Sequence, residues 1–185
     1  YNIMASIAVC LLNEIEIQDV INSIKNIKAI PGRLEFIGNE EKKIFIDYAH
    51  TPDAFQNVLS LMDSIKKKNH KIITLFGCGG DRDKSKRFKM AEIAEYYSDI
   101  ILVTSDNPRT EKLEDIINDI SSGFSSSKHL IIKNREEAIK YAIKHMDQDT
   151  ILLILGKGRE DYEIVGDIKH NHNDIKIIER ELHES

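Results

Sequence analysis

Apolar residues recur along this chain at two different spacings, and the switch from one to the other divides it. From Asn2 to Leu12, Ile3, Ile7, Cys10 and Leu11 share one helical face, and from Gln18 to Ile27, Val20, Ile21, Ile24 and Ile27 share another. That spacing predicts two short helices joined near Glu14. Pro31-Gly32 interrupts the pattern, so a boundary is expected there, with residues 1–30 a helical pair and residues 31–185 a separate body.

Beyond that boundary, strand and helix patterns alternate. Leu34–Ile37 and Ile44–Asp47 read as strands with Gly38-Asn39 at the turn, and Ala54–Lys67 as a helix with Phe55, Val58, Leu59, Met62 and Ile65 inward. Strands follow at Lys71–Phe76, Ile100–Thr104, Leu130–Ile132 and Thr150–Leu155, and helices at Arg87–Tyr97, Leu113–Ser121 and Glu136–Met146. The run TILLIL at 150–155 is apolar throughout, which predicts a central strand covered on both faces. A hairpin around Gly166-Asp167 and a charged tail complete the chain. The class is therefore α/β, with a mostly parallel sheet and helices on both faces.

Composition narrows the functions. With 185 residues and 41% hydrophobic content, the chain supports one core of ordinary size. Lys and Arg total 26 against 31 Asp and Glu, a formal charge of -5, so neither nucleic acid nor an anionic membrane is an expected partner. Cys10 and Cys78 form no CxxC motif, which excludes a disulfide scaffold and points to a reducing, cytoplasmic setting. No apolar run reaches the length of a membrane span. The chain starts without Met inside an apolar-rich stretch, so it is expected to be cut from something longer.

In an open α/β sheet, ligands bind beyond the carboxyl ends of the strands. Four strands here run into polar clusters: Asp47 to Asp53, GCGGDRDKSKR at 77–87, Ser105-Asp106-Asn107-Pro108-Arg109, and Gly156-Lys157-Gly158-Arg159-Glu160-Asp161. The glycine-rich loop before a helix suits a phosphate or carboxylate but is neither a Walker A loop nor a dinucleotide fingerprint. His50 and Asp53 suit a ring or ribose, with Asp53 also a candidate helix cap. Asp106-Asn107-Pro108-Arg109 places an amide beside a guanidinium, a clamp for an amino-acid head group or carboxylate. Glu160 can accept from an ammonium. His170-Asn171-His172 has no metal-site spacing, Cys78 reads as a packing residue, and no nucleophile elbow is present.

Five ordered motifs carry a resemblance: PGRLE at 31–35, DYAHTPDAF at 47–55, FGCGGDRDKSKR at 76–87, TSDNPRTE at 104–111 and GKGREDYE at 156–163. Together they resemble the Rossmann-like C-terminal domain of the Mur ligases, within them the members that add the third stem-peptide residue in peptidoglycan synthesis. Residues 1–30 resemble the helical end of that family's central ATPase domain.

The resemblance implies ATP-dependent amide-bond formation. ATP, with magnesium, phosphorylates the carboxylate of UDP-N-acetylmuramoyl-L-alanyl-D-glutamate, the UDP-muramoyl dipeptide, and the incoming amino group displaces phosphate. It also implies that Arg82, Asp106, Asn107, Pro108, Arg109, Gly156 and Glu160 bind the incoming diamino acid, and that Arg33, His50, Asp53, Lys84 and Arg87 lie near the nucleotide. No catalytic or metal-ligating residue is expected here, because no GTNGKT-like loop is present, so the chain alone should be inactive and hold no cofactor tightly.

Arg in the DNPR motif resembles the meso-diaminopimelate adders. Arg109 and Arg82 can pair its distal carboxylate and Glu160 its distal ammonium, whereas L-lysine would leave the arginines unpaired. Two positions depart from the pattern: Arg159 stands where GKGHEDY has His, and Phe88 replaces a Pro. Arg159 is expected beside the pocket, able to compensate partly for Arg109, and meso-lanthionine would satisfy the same contacts. The alternatives are another ATP-dependent ligase of folylpolyglutamate or cyanophycin type, which should lack the DNPR and GKGxED pair, and a non-catalytic nucleotide- or amino-acid-binding module.

Overall fold

A computed structural model describes residues 2–26 and 30–184. The chain divides into two compact units, Tyr1–Ile30 and Pro31–Ser185. In the first, α1 (Asn2–Leu12) and α2 (Ile17–Lys25) form a helical pair. Val20 is buried, while Ile3, Leu11 and Ile21 remain exposed. Ile27, expected on the second stripe, lies outside the described residues.

The second unit carries β1 (Glu35–Phe36), β2 (Lys43–Asp47), α3 (Pro52–Ile65), β3 (Lys71–Phe76), α4 (Ser85–Tyr97), β4 (Ile100–Val103) and α5 (Leu113–Ser121). It continues through β5 (His129–Ile131), α6 (Arg135–His145), β6 (Thr150–Leu155), β7 (Tyr162–Val165), β8 (Ile168–Asn171) and α7 (Asp174–Glu184). The main sheet has the order β1-β2-β6-β3-β4-β5, and only β1 runs antiparallel to its neighbour.

β6 is central, between β2 and β3, as its unbroken apolar run requires. Its alternate side chains divide the core. Ile151, Leu153 and Leu155 pack with Phe55, Leu59, Met90, Ala94 and Ile116 of α3, α4 and α5. Leu152 and Ile154 pack with Ala138, Ile139, Ile177 and Ile178 of α6 and α7. The chain thus changes faces on its way from β5 back to the centre, and the carboxyl ends of β2, β3, β4 and β6 open on one edge.

Three expectations are corrected. The charged tail is the helix α7, whose Ile177 and Ile178 are buried; its 11 residues carry an apolar stripe too sparse to stand out among charges. Ile65 is 62% exposed, being the last residue of α3, where the helix gives way to the extended Lys66. Asp53 does not cap α3: Thr51 does, its Oγ1 accepting from Ala54 N at 3.3 Å, with Pro52 filling the first helical position.

Candidate functional site

The four polar clusters meet at the open edge. A cleft there is lined by Tyr48, His50, Gly79, Arg82, Lys86, Asp106, Asn107, Arg109, Gly156 and Glu160. Six of the seven residues expected to bind an amino acid are among them. The seventh, Pro108, is buried and does not line the cleft.

Asn107, itself buried, organises the floor. Its Nδ2 donates to Asp106 Oδ1 at 2.9 Å and to Glu160 Oε2 at 3.1 Å. Its Oδ1 accepts from Lys157 Nζ at 3.1 Å and from Ile164 N at 2.9 Å. Both groups facing Oδ1 are donors only, so the amide has one workable orientation. Glu160 Oε1 accepts from the Tyr48 hydroxyl at 3.1 Å. Burial, then the Glu160 carboxylate, raises the Tyr48 hydroxyl above the usual phenol range, which keeps it a donor. Gly156 has φ +111, and a Cβ there would stand 2.9 Å from Asp106 Oδ2, so glycine alone lets the strand end pass this close to the carboxylate.

Two loops carry the arginines and are stitched together. Gly80 N donates to Asn107 O at 2.9 Å, and Arg109 Nη1 donates to Gly80 O at 2.8 Å. Thr110 donates twice to the Asp81 carboxylate, from N at 3.1 Å and Oγ1 at 2.8 Å, and Asp81 N donates to Glu111 Oε1 at 2.6 Å. Asp81 and Arg109 both have left-handed backbones, at φ 54 and 52. The Arg109 backbone is held by the β7–β8 hairpin: its N donates to Ile164 O at 3.0 Å and its O accepts from Gly166 N at 2.7 Å.

Of the residues expected near a nucleotide, His50 lines the cleft, its Nδ1 2.8 Å from Tyr48 O. Arg33 stacks its guanidinium 5.0 Å over the Tyr48 ring and is exposed, as is Asp53. Lys84 pairs with Glu111 at 3.1 Å. Arg87 is corrected: it is fully buried and spent on Glu111, Asp119 and Gly79 O, so it cannot reach a phosphate. Arg159 is corrected too: it turns away from the arginines and forks onto Glu35, with Nε donating to Oε2 at 2.8 Å. Three contributors were missed: Tyr48, Lys86 and the fully buried Lys157. A lysine is seldom buried unless paired, so its place directly after an apolar central strand was the available signal.

Among the described residues, no group of three or more His, Cys, Asp and Glu side chains could hold a metal ion. Burial pushes the Cys78 thiol up to about 12, which removes it as a nucleophile. What the cleft offers is binding: Arg82, Lys86 and Arg109 supply positive charge, Asp106 and Glu160 negative, and together they suit a ligand with charge of both signs.

The family described as "Mur ligase, glutamate ligase domain" matches residues 32–158. The UDP-N-acetylmuramoyl-L-alanyl-D-glutamate–2,6-diaminopimelate ligase of Fusobacterium nucleatum is 44% identical over 184 residues, covering 98% of this chain and 38% of its own length. A solved structure of a ligase of that same name superposes with a TM-score of 0.77 at 31% identity, over 98% of this chain and 37% of the other. The UDP-N-acetylmuramate-alanine ligase of Thermotoga maritima, at a TM-score of 0.69 and 18% identity over 99% of this chain and 36% of the other, shares the fold. The chain thus spans well under half the length of these relatives. Since the family match covers most of the chain, and a relative of that family is 44% identical over nearly all of it, the protein belongs to the Mur ligase family, as its C-terminal, glutamate ligase domain.

Proposed function

We propose that this domain receives the diamino acid in an ATP-dependent ligase that joins meso-diaminopimelate to UDP-N-acetylmuramoyl-L-alanyl-D-glutamate in peptidoglycan synthesis. One observation carries the reading: Arg82 and Arg109 share a single cleft with Glu160 and Asp106. The distal end of meso-diaminopimelate has a carboxylate and an ammonium on one carbon, and this cleft offers a partner to each. L-Lysine would leave both guanidinium groups without an anion. The relative in Fusobacterium nucleatum bears the name of such a ligase.

In this reading ATP and magnesium are held largely by the other domains of the ligase, and His50 and Arg33 are the groups of this chain that contact the nucleotide. Residues 1–30 are then the end of the central ATPase domain. The isolated chain has no turnover, and the reaction is cytoplasmic, which suits the two unpaired cysteines. Incubating the intact ligase with ATP, the UDP-muramoyl dipeptide and either meso-diaminopimelate, meso-lanthionine or L-lysine tests the proposal by mass spectrometry. Diaminopimelate is expected to be the preferred acceptor, with lysine disfavoured by about 100-fold or more. Equal use of lysine overturns the assignment.

A further inference from the structure

Lys157 lies beneath the cleft, and the binding reading leaves it without a task. Its side chain is fully buried, and its ammonium donates to Tyr162 O at 2.8 Å and to Asn107 Oδ1 at 3.1 Å. Asp106 Oδ1 lies 3.3 Å away and Glu160 Oε2 3.7 Å away. Three donors thus meet three near acceptors, and the ammonium has no freedom to reach a ligand. The neighbouring buried charges, Arg135 and Asp174, cancel one another at 2.8 Å. That leaves two carboxylates and one ammonium, so the floor has a net formal charge of −1.

We infer that Lys157 is a specificity-determining residue: by neutralising Asp106 from below, it leaves the floor with the one negative charge that a ligand's single distal ammonium satisfies. The inference rests on the diaminopimelate reading of the cleft. Without Lys157, Asp106 and Glu160 would face each other through the Asn107 amide, a doubly negative floor that a single ammonium leaves unbalanced. Asp106→Asn has the opposite effect, because the intact Lys157 then cancels Glu160 and the floor attracts no cation. Removing both charges restores the balance. The amide that replaces the Asp106 carboxylate retains an acceptor for Asn107 Nδ2, and Ile164 N still holds Asn107 Oδ1 at 2.9 Å.

The test is a charge cycle in the intact ligase, reading kcat/KM for meso-diaminopimelate and for 2-aminopimelate, which lacks the distal ammonium. Lys157→Met and Asp106→Asn should each lower the diaminopimelate value by about 30-fold or more. Adding Lys157→Met to Asp106→Asn should raise it again by about 10-fold or more, while 2-aminopimelate shows no such recovery. A purely structural lysine predicts a further loss on both substrates, and that result, or additive losses, overturns the inference. If Lys157→Met alone fails to fold, the double variant set against Asp106→Asn decides the question, since it leaves no unpaired buried charge. An unsubstituted ligase that does not use diaminopimelate fails at the first measurement, which overturns the reading of the cleft and this inference with it.

Discussion

Arg87 and Glu111, 24 positions apart, meet fork to fork: Nη1 donates to Oε2 at 3.0 Å and Nη2 to Oε1 at 2.9 Å. Arg87 belongs to α4 and Glu111 to the loop after β4, so the pair bolts the glycine-rich loop to the loop of the DNPR motif. Arg87→Ala leaves Glu111 largely buried without its main partner and should cost about 3–5 kcal/mol, measured by urea unfolding.

The same pair makes stability depend on pH. The Arg87 guanidinium, foremost, holds the Glu111 carboxyl at about 2, below the ordinary value of 4.5. A depressed carboxyl contributes stability above its unfolded value and loses it as pH falls through the folded one. Between about pH 5 and 2 the midpoint of unfolding should therefore fall. Glu111→Gln should flatten that slope, and an identical slope in the variant would remove Glu111 as its source.

Arg109 keeps Nη1 on Gly80 O and Asn107 O, at 2.8 and 3.3 Å, leaving the rest of its guanidinium toward the cleft. Arg109→Ala in the intact ligase should lower kcat/KM for diaminopimelate by the equivalent of about 2–5 kcal/mol while sparing KM for ATP and the UDP-dipeptide. Because Arg159 pairs with Glu35 instead, Arg159→His should add to this loss within about 0.5 kcal/mol, with no coupling.

Two glycines separate strain from function. Gly156→Ala meets both a φ of +111 and a Cβ contact with Asp106 Oδ2 at 2.9 Å, so it should lower diaminopimelate affinity and cost about 1–3 kcal/mol of stability. Gly166 has φ +59 with nothing within 4 Å, and Gly166→Ala should cost about 1–2 kcal/mol with smaller effect on affinity. Unfolding and calorimetry on both variants separate the two effects.

Thiol reactivity should be asymmetric. Cys78 is buried, with its thiol pushed up to about 12, whereas Cys10 is partly exposed. A mild alkylating reagent on the native protein should label Cys10 and leave Cys78 until the protein is unfolded.

The alternation of apolar strands and amphipathic helices determined the class and the central place of β6, because an unbroken apolar run is stable only with both faces covered. It also brought Asp106, Asn107, Arg109, Gly156 and Glu160 to one rim, since parallel strands put their carboxyl ends on the same edge. Which charges were free at that rim was decided by tertiary structure alone. Arg87, Arg109 and Arg159 are the same residue type in similarly charged loops, yet one is locked in a buried ion pair, one faces the cleft and one forks onto Glu35. Lys157 stands between two glycines in the sequence, and only the fold sets it beneath Asp106. Charge sign is written residue by residue, but availability depends on partners 24 to 124 positions away, and only the packed chain brings those together.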